Sequence, residues 1–240
     1  MSGVALITGG SGGIGSAIAR WLAEDGFTVL VGYRSNEEVA EQVASSCNGK
    51  AEPVRIDVTD EDSIAAAIDR AGDLGGLTVL VNNAGITSDA LLMRLGTDDL
   101  DRTLDVDLRG AILASKAAIR PMLRARGGRI INVSSVVGLR GNAGQTAYAA
   151  AKSGLVGFSK SLAREVGKKG ITVNVVAPGY VETAMTDALG DEQRRALTDQ
   201  APIARAVTAG EVAATVAFLA SDHAAAITGA VIPVDGGAAA

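Results

Sequence analysis

Two residues capable of acid–base chemistry stand one helical turn apart in the sequence. Tyr148 and Lys152 are separated by the alanines at 149–151, which favour a helix, so both side chains should project from one helical face. A free tyrosine ionises near pH ~10, and ionisation at about neutral pH takes ~4 kcal/mol, which a neighbouring ammonium can supply. The spacing therefore predicts a tyrosine that donates or accepts a proton.

Two serines stand where a strand would deliver them to the same place. Residues 129–133 form a short apolar run that predicts a strand, and Ser134 and Ser135 follow it directly. Ligands of doubly wound folds bind at the carboxyl ends of the strands, so serine, tyrosine and lysine are predicted to converge there. The competing interpretation is an incidental serine and a surface Tyr–Lys pair worth only about 0.2–0.5 kcal/mol.

A glycine-rich segment follows the first apolar run. Residues 4–8 predict a strand, residues 9–15 hold five glycines, and a helical pattern begins after them. Glycines there let the backbone turn tightly and approach a pyrophosphate, whose charge is met by the helix N-terminus. Such turns also serve as plain connections, but the position after the first strand favours dinucleotide binding. The loop lacks the Lys-Ser/Thr pair of a P-loop.

A cation, Arg34, closely follows the second predicted strand, residues 28–32. Many NAD-binding folds place a carboxylate here for the ribose 2′-hydroxyl, whereas an arginine suits a 2′-phosphate. Tyr33 and Arg34 hold the position, and no carboxylate follows until Glu37. We therefore predict NADP rather than NAD, with Arg34 as the phosphate clamp. The alternative is a solvated turn residue, and Gly12 in the loop adds no second basic group.

The next two strand ends carry polar or small residues. Asp57 follows the strand predicted at 52–56, where it could hold the adenine amino group or simply start the next helix. Asn83, Ala84 and Gly85 follow the strand predicted at 77–81, where they suit cofactor contact or a structural turn between strands. The sequence leaves both roles open at each position.

Seven apolar runs alternate with helical patterns. Besides the four strands above, runs at 129–133, 171–177 and 230–234 predict three more. The alternation predicts an α/β fold: a single-domain, Rossmann-like, doubly wound parallel sheet of seven strands with helices on both faces. We expect one domain over residues 1–240, with a substrate lid in the irregular, more polar residues 181–209.

A long helix is predicted to start at Thr97, because apolar residues recur at helical spacing after it. Asp107 lies near the middle of this helix rather than in a turn. Pro121 is expected to kink or divide the helix.

Composition excludes several classes of protein. None of the apolar runs approaches the ~20 residues of a membrane span, and the amino terminus does not resemble a signal peptide, so we predict a cytoplasmic protein without membrane contact. A single cysteine, Cys47, and a single histidine, His223, exclude internal disulfides and argue against a metal site. A net charge of -5 argues against nonspecific nucleic-acid binding.

The order of these motifs resembles the classical short-chain dehydrogenase/reductases along nearly the whole chain. The motifs are Thr8-Gly9-x-x-x-Gly13-Ile14-Gly15, Asn82-Asn83-Ala84-Gly85, Ser135 with Tyr148-x-x-x-Lys152, and Pro178-Gly179. Longer stretches at 83–87, 91–94, 141–145 and 158–165 are similar to the bacterial 3-oxoacyl-[acyl-carrier-protein] reductases of fatty-acid synthesis.

The resemblance implies a mechanism that agrees with the chemistry of the residues. Hydride would pass from the nicotinamide to a ketone carbon while Tyr148 protonates the oxygen, Ser135 binds the carbonyl and Lys152 also binds the nicotinamide ribose. With Asp107, these are the candidate catalytic residues. The predicted cofactor contacts are Thr8, Gly9, Ser11, Gly12, Gly13, Ile14, Gly15, Tyr33, Arg34, Asp57, Val58, Asn83, Ala84, Gly85, Tyr148, Lys152, Pro178, Gly179, Val181 and Thr183.

Asp107 departs from the family pattern. The resemblance implies an asparagine at this position, where it supports a water in a proton relay that starts at the lysine. Aspartate can still serve if the relay uses the backbone carbonyl, but an ionised carboxylate cannot replace a side-chain amide donor. The carboxylate could instead attract Lys152 and alter its effect on Tyr148.

The resemblance also implies an acidic acyl carrier protein as the partner and a homotetramer as the assembly. A basic patch should then surround the mouth of the pocket, with Arg126, Arg129, Lys168 and Lys169 as candidates. Arg126 and Lys169 match carrier-contacting positions of the family. The alternative is an ordinary solvated surface.

Two other functions compete with this prediction. One is a reductase of another ketone, such as a polyketide, acyl-CoA or sugar, since residues 91–95 and 181–197 are not diagnostic of the substrate. The other is a dinucleotide-sensing regulator without catalysis, which predicts loss of the tyrosine or the lysine. Both residues are present, so the sequence favours an enzyme.

Overall fold

The computed structural model describes residues 3–183, 186, 190–199 and 201–240, and its centre is one parallel β-sheet. The seven strands are β1 (Val4–Thr8), β2 (Thr28–Tyr33), β3 (Ala51–Arg55), β4 (Leu77–Asn82), β5 (Gly128–Val133), β6 (Ile171–Pro178) and β7 (Val231–Val234). Their order is β3-β2-β1-β4-β5-β6-β7, and all the pairs are parallel. The predicted doubly wound fold is confirmed.

The direction of winding reverses between β1 and β4. The chain moves outward from β1 through β2 to β3, then returns to β4 on the other side of β1. The loops after β1 and β4 therefore diverge and leave a crevice at the carboxyl edge of the sheet. Ligands bind at such a point in open α/β sheets.

Helices cover both faces of the sheet. They are α1 (Gly13–Glu24), α2 (Glu37–Ser45), α3 (Glu61–Asp73), α4 (Thr97–Leu104), α5 (Gly110–Arg124), α6 (Val137–Arg140), α7 (Thr146–Val166), α8 (Asp191–Thr198) and α9 (Ala209–Ala220). One core contains residues of α1, α2 and α9, and the other contains residues of α3, α5 and α7. Alternate strand residues supply the two cores: Ala5 and Ile7 face the first, Val4 and Leu6 the second.

Side-chain caps start several of the helices. The Asn36 side chain caps α2 by accepting a hydrogen bond from the Val39 N–H at 3.2 Å. Asp60 caps α3 in the same way. Thr208 and Glu211 form a reciprocal capping box at the start of α9.

The long helix predicted from Thr97 contains an irregularity that the sequence did not indicate. A π-helical segment, Asp105–Arg109, joins α4 to α5, so Asp107 lies in a wide turn rather than in regular helix. Gly110 follows it, and a Cβ there would lie 2.8 Å from the Val58 side chain. Pro121 lies inside α5 without dividing it, so the expectation of a division is wrong.

The predicted lid, residues 181–209, is less irregular than expected. It contains α8 and an isolated parallel bridge between Val181 and Val207. Residues 184–185, 187–189 and 200 of this segment lie outside the described residues. Across the described ranges, no helix combines the length and the apolar character that a membrane span requires.

Candidate active site

A cavity of about 630 Å³ opens at the carboxyl edge of the sheet. The loops that follow β1, β2, β4, β5 and β6 all contribute to its walls. Both the glycine-rich loop and the Ser-Tyr-Lys residues line this one cavity. The structure therefore joins the two predicted halves of the site.

The glycine-rich loop has the conformation that its sequence requires. Gly9 has a φ of +63°, in the left-handed region that favours glycine. A Cβ at Gly15 would overlap the Gly9 carbonyl oxygen, and one at Gly13 would lie 2.7 Å from the Thr183 methyl carbon. Helix α1 begins at Gly13, so the free N–H groups of its first turn lie beside the cavity. These features fit a dinucleotide pyrophosphate.

Thr8 and Asn83 fasten this loop to the end of β4. The Thr8 hydroxyl accepts hydrogen bonds from the Asn83 and Ala84 N–H groups, both at 3.0 Å. The Asn83 side-chain amide donates to the Thr8 and Gly9 carbonyls at 3.1 and 2.9 Å. Asn83 thus ties two strands together and also lines the cavity, which combines the two roles that the sequence left open.

The residues predicted to bind the adenosine half of the dinucleotide cofactor line another part of the cavity. Arg34 is exposed and lines the cavity next to Tyr33. The Asp57 carboxylate accepts from the Thr59 N–H and hydroxyl at 3.0 and 2.7 Å, and these hydrogen bonds lower the pKa of Asp57. The Tyr33 phenol donates a hydrogen bond to the Glu37 carboxylate, which raises the pKa of the phenol. Glu37, the first carboxylate after β2 in the sequence, therefore has a hydrogen-bond partner within the protein.

Lys152 is held in place beside Tyr148. Its Nζ lies 5.5 Å from the centroid of the Tyr148 ring, so the two side chains do share one face of α7. The ammonium donates to the Val133 carbonyl at 3.2 Å and lies 3.3 Å from Asp107 Oδ2. The lysine is 4% exposed, yet it lines the cavity.

The two serines after β5 have different contacts. The Ser134 hydroxyl donates to the Lys152 carbonyl at 2.8 Å and so connects β5 to α7. The Ser135 hydroxyl accepts from the Val137 N–H at 3.1 Å, which leaves its own proton available. This difference supports the prediction that Ser135, rather than Ser134, binds the substrate carbonyl.

Asp107 approaches the lysine from the π-helical segment. Its Oδ1 accepts the Ile86 N–H at 2.8 Å, and its side chain is fully buried. Burial raises the pKa of Asp107, against the opposing charge of Lys152. For Lys152, burial is the largest single influence and favours the neutral amine, but the Asp107 charge, Tyr148 and the close polar contact with Asp107 together raise the pKa, so the ammonium persists.

Most of the predicted site residues meet at the cavity. Every predicted cofactor residue except Thr8 lines it, and so do Ser135, Tyr148 and Lys152. Thr8 lies under the loop, and Asp107 contacts Lys152 from outside the lining. Their assigned roles in binding and catalysis stay predictions.

Sequence reasoning missed a polar group at the substrate side of the cavity. The Gln145 side-chain amide donates to both carboxylate oxygens of Asp89 at 3.0 and 3.1 Å. The Asn142 side-chain amide donates to the side-chain oxygen of Gln145 at 2.8 Å. All three residues line the cavity. Gln145 immediately precedes α7 and stands three residues before Tyr148, so helical spacing was the signal that could have found it.

The predicted basic patch does not surround the pocket of the same chain, because most of its residues lie at the opposite edge of the sheet. Arg126 precedes β5 and Lys168 and Lys169 precede β6, so all three lie at the amino edge of the sheet. Strand β5 has six residues, which separates its two ends by about 16 Å. Arg129 is 4% exposed and pairs with Asp222 at 3.5 Å, so it is not a surface contact.

A glycine loop at the first βα junction and a Ser-Tyr-Lys group at the same crevice define a nicotinamide-dinucleotide-dependent oxidoreductase. A family model described as "Enoyl-(Acyl carrier protein) reductase" matches residues 9–239. The chain belongs to the short-chain dehydrogenase/reductase family.

Curated relatives cover nearly the whole chain. The 3-oxoacyl-[acyl-carrier-protein] reductase FabG of Salmonella typhimurium is 48% identical over 98% of this chain and 96% of its own length. The proteins of the same name from Vibrio cholerae and Pseudomonas aeruginosa are 49% and 48% identical, with the same coverage.

Proposed function

We propose that this protein reduces the ketone of a 3-oxoacyl thioester, carried by an acyl carrier protein, to the 3-hydroxyacyl thioester, with NADPH as the reductant. The single observation that carries the proposal is the convergence of Ser135, Tyr148 and Lys152 on the cavity that the glycine loop lines. The similarity to 3-oxoacyl-[acyl-carrier-protein] reductases over 98% of the chain supports the substrate class and a place in fatty-acid synthesis.

Tyr148 is the proton donor in this proposal. When bound, the nicotinamide supplies the hydride that reduces the ketone carbon. The phenol of Tyr148 gives its proton to the oxygen, and the Ser135 hydroxyl donates a hydrogen bond to the same oxygen. Lys152, 5.5 Å from the tyrosine ring, stabilises the phenolate that remains. Lys152 is also expected to bind the ribose hydroxyls of the cofactor.

The test is turnover of a 3-oxoacyl thioester, followed by NADPH absorbance. Tyr148→Phe should lower kcat at least about a hundredfold, because general acid catalysis contributes 10²–10⁴-fold. The matched control substrates are a saturated acyl thioester, which has no ketone, and a 2-enoyl thioester, which the family model's description names. Faster turnover of the enoyl thioester would contradict ketone reduction, and faster turnover of another ketone would favour a different reductase. Cofactor binding without turnover of any ketone would favour a dinucleotide-sensing regulator.

NADP as the cofactor is part of this proposal. Arg34 lies at the cavity directly after β2, where a 2′-phosphate is recognised in such folds. Glu37, the nearest carboxylate in sequence, has the Tyr33 phenol as a partner. Both observations favour a phosphate over a free 2′-hydroxyl.

The assembly and the lid are also part of the proposal. A homotetramer would cover β7, an edge strand whose residues are half-buried or exposed in the single chain. The lid proposal for residues 181–209 is supported by Leu197, Ala201 and Arg205, which line the cavity. A single domain and a cytoplasmic location stay predictions.

A further inference from the structure

A buried ion pair adjoins the reacting groups. Asp107 Oδ2 and Lys152 Nζ are 3.3 Å apart, and their side chains are 0% and 5% exposed. The second carboxylate oxygen is fixed by the Ile86 N–H at 2.8 Å, and the ammonium also donates to the Val133 carbonyl at 3.2 Å. The pair is therefore held on both sides by backbone groups of β5 and of the loop after β4.

The surrounding backbone packs closely against this pair. A Cβ on Gly85 would lie only 3.2 Å from both Asp107 Oδ2 and Lys152 Nζ. Within the described ranges, no donor makes a well-directed hydrogen bond to Oδ2, so its contact with the ammonium at 3.3 Å is mainly electrostatic. Charges act strongly on one another in such a dry environment. The carboxylate should therefore reduce the effective charge that Lys152 presents to its other neighbour, Tyr148.

We propose that Asp107 is a positioning residue that acts as a permanent counter-ion of Lys152 and keeps Tyr148 in its protonated, proton-donating form. The proposal rests on the proposed function, because it concerns the donor of that reaction. An unopposed ammonium would favour the phenolate, which is the base needed for oxidation. The Asp107 carboxylate offsets part of that charge, so the phenol keeps its proton to higher pH. The pair thus keeps Tyr148 in the protonation state that ketone reduction requires.

The other charged groups near the catalytic residues have partners elsewhere. On the loop after β4, Asp89 accepts from Gln145. On α6, Arg140 donates to the Ala238 carbonyl, and before α9, Arg205 pairs with Glu211. After β7, Asp235 accepts from two N–H groups of the carboxyl-terminal turn. Among the described residues, Asp107 is therefore the carboxylate that contacts the lysine.

Asp107→Asn is the direct test, because it removes the charge at nearly constant volume. The Asn oxygen can still accept the Ile86 N–H, but its amide would then direct a second donor at the ammonium. Asp105→Asn is the matched control: it makes the same change in the same π-helical segment, on an exposed side chain. Thermal unfolding establishes that each variant folds. If Asp107→Asn does not fold, Asp107→Ser is used in its place, because the serine hydroxyl keeps an oxygen that can accept the Ile86 N–H.

The readout is the pH dependence of both reaction directions. Reduction needs the phenol, so its rate falls as pH rises, and oxidation of the 3-hydroxyacyl product needs the phenolate, so its rate rises. Asp107→Asn should move both midpoints about 1 unit toward acid, a tenfold effect, while Asp105→Asn leaves them in place. The midpoints themselves are the readout, because the enzyme cannot change the overall equilibrium at a given pH.

Midpoints equal to those of the unmodified enzyme would overturn the proposal. A rate that falls at every pH while the midpoints stay in place indicates a merely structural role. Phenolate ultraviolet absorbance, with Tyr148→Phe subtracted, gives the same titration without any substrate. This measurement tests the counter-ion even if 3-oxoacyl thioesters prove not to be substrates.

Discussion

In the proposed function, Arg34 is the residue that would decide the choice between NADP and NAD. It is exposed, lines the cavity and directly follows β2, while the glycine loop contributes no cation of its own. Gly12 has a φ of −78° and ψ of 171°, and a Cβ there would meet nothing closer than 3.5 Å, so glycine is not required by the backbone. A 2′-phosphate would therefore depend on Arg34 for its charge-assisted hydrogen bonds.

Arg34→Leu should raise the KM for NADPH about tenfold to a hundredfold and leave the KM for NADH nearly unchanged. Loss of a charged hydrogen bond costs roughly 1.5–3 kcal/mol, which corresponds to that range. Arg55→Leu is the matched control, since Arg55 ends the neighbouring strand β3 but does not line the cavity. Equal effects of the two substitutions on NADPH would contradict a specific clamp. So would an equal effect of Arg34→Leu on both cofactors.

Single residues with local signals were the most predictable part of the site. The Tyr148–Lys152 spacing and the glycine loop follow from short-range geometry, and the structure brings both to one cavity. The separation of Ser134 from Ser135 came from the family resemblance rather than from the residues themselves. It depends on contacts with α7, which the sequence of β5 cannot show.

At the scale of elements, the cap of α9 combines the side chains of Arg205, Thr208 and Glu211. Glu211 accepts from the Thr208 N–H at 2.8 Å and from both terminal nitrogens of Arg205. The hydrogen bond from Arg205, with those from Thr208, lowers the pKa of Glu211 from 4.5 to about 2. The cap therefore links the start of α9 to the end of residues 181–209.

This cap predicts a specific acid dependence of stability. Because the folded pKa is depressed, the stabilisation is complete above pH ~4.5 and is lost as pH falls toward 2. Glu211→Gln should lower Tm by a few degrees at pH 7, and the difference should vanish near pH 2. Glu38→Gln, in the first turn of α2, is the control for the same charge in another helix start. A pH-independent difference for Glu211→Gln would contradict the ionic origin.

Elements were predictable where periodicity is regular and were missed where it is not. The seven strands lie within two residues of their predicted ends, because their apolar runs are bounded by glycine and polar residues. The π-helical segment was missed because apolar spacing around Leu104 and Leu108 also fits regular helix. Helices α6 and α8 were missed because four and eight residues are too few to show a period.

At the scale of the molecule, the cavity and the candidate carrier-binding residues lie at opposite edges of the sheet. The cavity lies at the carboxyl edge, whereas Arg126 and Lys169 lie together at the amino edge, where a Cβ on Gly170 would be 3.1 Å from the Arg126 carbonyl oxygen. A carrier docked there would have to serve the cavity of another copy in the proposed homotetramer. The sequence already contained this signal, since residues just before parallel strands lie at the amino edge.

Charge reversal tests this arrangement. Arg126→Glu with Lys169→Glu should lower kcat/KM about three- to tenfold on carrier-linked substrate, because opposite charge across an interface raises the association rate. Activity on a short thioester analogue should be unchanged. Lys50→Glu, at the amino end of the distant strand β3, is the control. An equal loss on both substrates, or no loss on either, would contradict docking at this edge.

The wide turn at Asp105–Arg109 also bears on how this chain tolerates changes of length. A π turn is an α-helix that has taken in one extra residue, and each residue of an α-helix advances the direction of the side chains by about 100°. Loss of one residue inside this segment could be absorbed by closing the wide turn, with both flanking helices kept in register. The same loss within α5 or α7 would rotate every later side chain away from its neighbours.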